Sequence, residues 1–88
     1  MDDPAGAVSS DTVDMVIRSS TFEDLFEAER PRLFRILLLV TRDYAEAEEI
    51  MQEAFVRIWE RWDRVSGLED PRGYLYRTAF NLHRSAAR

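Results

Sequence analysis

The sequence predicts an all-α fold, a small three-helix bundle whose first helix is kinked at Pro31 and follows a disordered acidic N-terminal tail. Apolar residues recur at helical spacing in three segments, each segment opens on a helix-start signal, and no segment has the alternation of a strand. The 88 residues are 45% hydrophobic and 33% charged, which suits one soluble globular domain.

The first helix is expected to begin near Ser20, because residues 20–23 fit a capping box. Proline removes a backbone donor and clashes with the preceding turn. Pro31 should therefore kink the helix or divide it into segments 21–30 and 31–41. The apolar stripe of this helix comprises Phe22, Leu25, Phe26, Leu33, Phe34, Leu37 and Val40.

The N-terminal residues are acidic and have little periodicity. Residues 1–19 include four aspartates, a proline and a glycine, and we expect a mostly disordered extension with at most a helical turn near 13–17. The folded domain is then expected to span residues 20–88.

The second helix is expected to begin after Asp43, which is suited to the N-cap position. One face is apolar, with Trp59 at its margin, and the acidic residues lie elsewhere on the cylinder, so the helix should have a buried face and an acidic face. The apolar stripe comprises Ala47, Ile50, Met51, Ala54, Phe55, Ile58 and Trp62, and the acids are Glu46, Glu49, Glu53 and Glu60.

The third helix has a specific start signal, an Asp70 N-cap followed by Pro71 at the first helical position. Residues 63–69 before it include a serine and a glycine and are expected to form a loop. One face of the helix carries Leu75, Thr78, Ala79 and Leu82, and another carries Arg77, Asn81 and Arg84 at i, i+4 and i+7.

Charge is distributed unevenly along a chain whose net charge is −5. Residues 43–63 hold seven acids and two arginines, whereas residues 71–88 hold four arginines and no acid. Such polarity favours two partners of opposite charge.

Several classes of function are disfavoured. The chain has no cysteine, its one histidine is His83, and it has no glycine-rich phosphate loop, so we expect neither a metal site nor a cofactor. A chain this short has little room for a shielded pair of carboxylates, so we do not expect an enzyme. The longest apolar run, Ile36–Val40, is too short for a membrane span, and no secretory signal is visible. We therefore expect a cytoplasmic protein with no membrane partner.

Two surfaces are candidates for function, each with a simpler alternative. The acidic face of the second helix could dock on basic helices of a partner, or it could be a solvated face that keeps the bundle soluble. Tyr74, Tyr76 and Phe80 cannot all face the core, so at least one ring should lie exposed beside arginines, as in proteins that bind single-stranded DNA. Asn81 could also bond a base edge. Alternatively, this basic helix end complements its own macrodipole and pairs with the acidic helix.

Several motifs in order resemble the second conserved region of extracytoplasmic-function (ECF) bacterial sigma factors. The resemblance covers residues 22–84. It is carried by Phe22-Glu23-Asp24-Leu25-Phe26, Pro31-Arg32-Leu33, Asp43-Tyr44-Ala45-Glu46-Ala47-Glu48-Glu49, Gln52-Glu53-Ala54-Phe55, Trp59, and the string from Pro71 to Leu82.

The resemblance implies a transcription initiation factor domain. It implies that the second helix binds the clamp helices of the largest subunit of the RNA polymerase core. The residues of that surface would be Glu49, Gln52, Glu53 and Arg57. Family members also bind an anti-sigma factor, so we expect such a partner.

The resemblance also implies promoter DNA as a partner, through the non-template strand of the minus-ten element. The loop 65–70 would capture a flipped base, and the last helix would hold the flanking duplex and the melted strand. The residues are Ser66, Gly67, Arg72, Tyr74, Arg77, Thr78, Asn81 and Arg84.

Two departures from the family pattern leave other interpretations open. Tyr74 stands where many members have tryptophan, and the linker and second DNA-binding domain are absent, so we expect a fragment of a longer chain. One alternative is a helical module that binds only an anti-sigma factor or polymerase, without recognising DNA. Another is a helix-turn-helix repressor, although the loop 63–69 is longer than the usual turn of that motif.

Overall fold

The structure, a computed structural model, describes residues 10–86, with side chains from residue 21 onward. It contains four helices and, within these residues, no strand: α1 (Ser10–Thr41), α2 (Tyr44–Glu60), α3 (Trp62–Val65) and α4 (Pro71–Ala86). The all-α prediction is therefore confirmed, and the short helix α3 is added to the three that were expected. Within residues 10–86, no helix is long and apolar enough to cross a membrane.

Helix α1 begins ten residues before its expected start. Its backbone is helical from Ser10, so the capping box at Ser20 was wrong as a helix start. No proline or glycine lies between these two residues, and serine and glutamate are tolerated inside a helix, so nothing forces a boundary there. Of the disordered extension expected over residues 1–19, residues 1–9 lie outside the described residues, and residues 10–19 belong to α1. Pro31 lies inside α1, which continues through it, so segments 21–30 and 31–41 belong to one helix.

The turn from α1 to α2 is tight and well bonded. Arg42 adopts a left-handed conformation with φ of 56°, and its amide donates to the Leu38 carbonyl at 2.8 Å. Asp43 is the N-cap of α2, as expected, because its Oδ1 accepts a hydrogen bond from the Glu46 amide at 3.0 Å. These bonds satisfy backbone groups that helix ends leave open, and they fix the reversal of the chain.

The expected loop 63–69 contains the end of helix α3. Both Trp62 and Val65 are buried, and the indole Nε1 of Trp62 donates to Thr21 Oγ1 at 3.1 Å. One helical turn with two apolar residues three apart is too short to show periodicity, which is why the sequence did not reveal it. The exposed loop proper runs from residue 66 to 70.

Helix α4 starts where the sequence placed it. Asp70 Oδ1 accepts from the Gly73 amide at 2.9 Å, and the Asp70 carbonyl accepts from the Tyr74 amide at 3.1 Å. A Cβ at Gly73 would clash with the Asp70 carboxylate, so glycine allows the capping carboxylate to lie against the first turn.

The core lies between α1, α2 and α4, with α3 closing one end. All seven residues of the predicted α2 stripe are buried, and Leu33, Leu37, Leu75 and Ala79 complete most of the cluster. Of the predicted α1 stripe, Val40 is the exception. It is 47% exposed, because it lies in the last turn of α1, where the chain reverses into α2.

Candidate protein and nucleic-acid interfaces

An open groove of about 400 Å³ runs between α2 and α4, and we call it the α2–α4 groove. Three of its lining side chains are arginines and none is a carboxylate, although the whole chain has a net charge of −5. The groove is therefore locally basic. The lining residues are Arg57, Arg61, Tyr74, Arg77, Thr78, Asn81, Leu82 and Ser85.

Hydrogen bonds orient the polar groups of this groove. Thr78 Oγ1 donates to the Tyr74 carbonyl at 2.8 Å, a bond that leaves the oxygen lone pairs as acceptors. A guanidinium nitrogen of Arg84 donates to Asn81 Oδ1, so the amide NH₂ of Asn81 is the group presented to a ligand. On the other wall, Arg57 Nη2 bonds Glu53 Oε2 at 2.9 Å. The groove thus offers an aromatic ring, an amide donor and guanidinium groups together.

Four of the eight DNA-binding residues predicted from the sequence line this groove, namely Tyr74, Arg77, Thr78 and Asn81. Arg84 adjoins them through its bond to Asn81. Ser66 and Gly67 lie apart from this set, in the exposed loop before α4.

Sequence reasoning missed three lining residues, namely Arg61, Ser85 and Leu82, the last of which was expected only on the apolar face of the third helix. The signal for Arg61 was its i+4 spacing from Arg57, which places the two arginines about one turn apart at the C-terminal end of α2, where Arg61 is the C-cap.

Arg72 lies elsewhere, in a polar cluster that joins α4 to α1. Its Nε lies 3.2 Å from Glu29 Oε1, and the same oxygen accepts a hydrogen bond from the Tyr76 hydroxyl at 2.8 Å. The guanidinium carbons of Arg32 and Arg72 lie 6.0 and 5.7 Å from the centroid of the Tyr76 ring. The partner of a basic α4 residue is thus an acid of α1, rather than the acidic face of α2.

The ionisation of Tyr76 tests this cluster. Burial and the hydrogen bond to Glu29 raise the pKa of Tyr76 from 10.0 to about 12. Because the folded-state pKa is above the unfolded value, the stability contributed by the protonated phenol is complete below pH 10 and is lost as pH rises through about 12. Wild type should therefore lose more unfolding free energy than Tyr76→Phe between these two pH values, measured by urea denaturation. Equal losses in the two proteins would contradict the assignment.

The predicted polymerase-binding residues divide between two places. Glu49, Gln52 and Glu53 are exposed on α2, whereas Arg57 is half-buried and lines the α2–α4 groove. Gln52 lies at a boundary, because it lines both an acidic patch and an apolar groove. The acidic patch, which ends against Ala86, comprises Asp43, Glu46, Glu48 and Glu49.

The apolar groove beside Gln52 lies between α1 and α2 and has a volume of about 650 Å³. Its floor is a cluster of rings in edge-to-face and tilted contact, with Phe22 5.1 Å from Trp59 and Phe26 4.7 Å from Phe55 between centroids. Val56 adds an aliphatic side chain that is 53% exposed. An acidic patch with an apolar neighbour suits a protein partner better than a nucleic acid.

Within residues 21–86, whose side chains the structure describes, no three histidine or acidic side chains lie where they could hold a metal ion together. Glu46, Glu49 and Glu53 are spread along one side of α2, and His83 belongs to α4.

Comparison with known proteins identifies the family of the chain. No curated protein and no solved structure matches the chain. The family model described as Sigma-70 region 2 matches residues 25–88, which include most of α1 and all the helices that follow. The chain therefore belongs to the sigma-70 region 2 family, whose members are non-enzymatic transcription initiation factors that bind the RNA polymerase core and promoter DNA.

Proposed function

We propose that this domain is of the ECF type, docks on the clamp helices of RNA polymerase through α2, and holds the non-template strand of the minus-ten element against α4. The observation that carries the proposal is the separation of charge on one small bundle. The exposed acids of α2 lie beside an apolar groove, whereas the α2–α4 groove has three arginines and no carboxylate in its lining. Two partners of opposite charge can therefore bind at once.

The polymerase surface consists of Glu49, Gln52 and Glu53, with the exposed Val56 next to them. Carboxylates of this kind pair with arginines of a partner helix, and the amide of Gln52 hydrogen-bonds alongside. Apolar contact with Val56 and the aromatic floor supplies the burial that exposed ion pairs alone do not provide.

The DNA surface combines three kinds of contact. The ring of Tyr74 offers a stacking surface for an unstacked base, Arg77 pairs with a phosphate, and the amide of Asn81 donates to a base edge. Ser66 and Gly67, in the exposed loop before α4, receive a flipped base, as the resemblance implies. Flipping costs a few kcal/mol of stacking and pairing. Because these contacts at the minus-ten element bind the open strand more tightly than the paired one, they shift the duplex toward melting.

An anti-sigma factor is the expected inhibitor, and its chemistry follows from the surfaces it must cover. A basic segment would fit the acidic patch of α2, and an apolar side chain would fit the groove above Phe22 and Phe55. The cytoplasm is the expected compartment, because the polymerase and the promoter are there. The alternative is a module that binds only such protein partners and has no strand-binding activity.

Substitution of the polymerase surface tests the proposal. A purified fragment carrying the clamp helices should bind the wild-type chain, and Gln52→Ala/Glu53→Ala should weaken binding at least roughly 30-fold, because two central polar contacts are lost. Titration calorimetry measures both affinities. Glu27→Ala, which removes an exposed acid from α1, is the control and should bind as wild type does. A folded wild-type chain that does not bind the fragment would refute polymerase docking through α2.

A further inference from the structure

The α2–α4 groove has a second basic wall that the sequence did not assign to DNA. Arg57 in the last turn of α2 and Arg61, the C-cap of that helix, line the same groove as Arg77 and Asn81 of α4. Within residues 21–86, Arg61 and Arg77 form no ion pair, and both are exposed. Positive charge without a carboxylate partner is therefore concentrated on both walls of one groove.

We propose that Arg57 and Arg61 bind the phosphate backbone of the single strand whose bases contact α4, so that the strand lies between the two helices. This inference rests on the proposed function and assigns Arg57 to the DNA rather than to the polymerase. Guanidinium groups suit this role because they bind phosphate oxygens with two parallel hydrogen bonds. The open shape of the groove admits an extended chain, with phosphates at Arg57 and Arg61 on one wall and at Arg77 on the other, and bases against Tyr74 and Asn81.

The two arginines are not equivalent. Arg57 already shares its guanidinium with Glu53 at 2.9 Å, whereas Arg61 has no carboxylate partner within residues 21–86. A phosphate must compete with Glu53 for Arg57 but meets no such competitor at Arg61. Arg61 is therefore the larger contributor of the two.

The test uses phosphate chemistry, which is independent of base sequence. The probe is a fluorescent single-stranded 12-mer of random sequence, bound to the complex of this chain with polymerase core over a range of salt concentrations. Arg61→Ala should weaken binding roughly fivefold and lower the slope of log affinity against log salt by about 0.7, the value for one phosphate contact on a single strand. Arg57→Ala should have a smaller effect of the same kind.

Two further variants separate charge from geometry. Arg61→Lys keeps the charge, so its slope of log affinity against log salt should equal that of wild type. Its affinity should lie between those of Arg61→Ala and wild type, because lysine cannot form two parallel hydrogen bonds to a phosphate. Arg35→Ala removes an exposed arginine of α1 and should match wild type.

One outcome would refute phosphate binding by Arg57 and Arg61 but leave the proposed function standing. In that outcome Arg77→Ala weakens binding of the 12-mer, whereas Arg61→Ala binds it as tightly as the control Arg35→Ala. If the wild-type complex binds no single strand at all, both are refuted.

Discussion

Ile58→Ala is expected to lower the free energy of unfolding by about 2–5 kcal/mol, the usual effect of truncating a fully buried branched side chain. Ile58 is completely buried in α2, among residues of all the packed helices. A chain of this size has a total stability of roughly 4–13 kcal/mol, so the variant should lose a large fraction of it. Urea denaturation followed by circular dichroism measures the change.

Val56→Ala is the matched control, since it truncates an aliphatic side chain on the same helix two residues earlier. Val56 is 53% exposed, and its truncation should change stability by less than about 0.5 kcal/mol. If both variants lost a similar amount of unfolding free energy, Ile58 and Val56 would be buried to a similar degree. That result would contradict the packing of α2.

Tyr74→Ala is expected to weaken binding of the polymerase-bound domain to single-stranded promoter DNA by roughly 5- to 100-fold, since stacking on one aromatic ring contributes about 1–3 kcal/mol per base. Tyr74 lines the α2–α4 groove and is half-buried, so part of its side chain is accessible to a ligand in the groove. Fluorescence anisotropy with a labelled non-template strand measures the loss.

Tyr74→Phe keeps the ring and removes only the hydroxyl, and it should bind the strand within about twofold of wild type if stacking is the main contact. A loss in Tyr74→Phe as large as that in Tyr74→Ala would assign the contribution to the hydroxyl instead. Tyr74→Ala must remain folded by circular dichroism for the comparison to hold.

Most of the fold could be predicted because its signals are local. Asp43 and Asp70 cap α2 and α4 as expected, and the apolar stripe of α2 is buried along its length. The errors also have local causes. Nothing in the sequence distinguishes a capping box at a helix start from the same residues inside α1, and α3 is a single turn that is recognisable only because Trp62 and Val65 pack into the core.

The candidate site was less predictable, because it depends on which residues of different helices face each other. Spacing along α4 grouped Arg77 with Asn81, and both line the groove. Spacing gave no indication that Arg72 would pair with Glu29 of α1, or that Arg61, the C-cap of α2, would lie across from α4. Such pairings between helices depend on how the helices pack together, which periodicity within one helix does not encode.

The most direct test of the central claim is strand selectivity. The polymerase core bound to this chain should bind the non-template strand of the minus-ten element at least roughly tenfold more tightly than the complementary strand, because reading of base edges and flipped bases discriminates by about 1–3 kcal/mol per contact. Arg77→Ala/Asn81→Ala should abolish that preference without reducing polymerase binding. Equal affinity for the two strands in the wild-type complex, unchanged by the double substitution, would contradict DNA recognition by this domain and favour a module that binds proteins only.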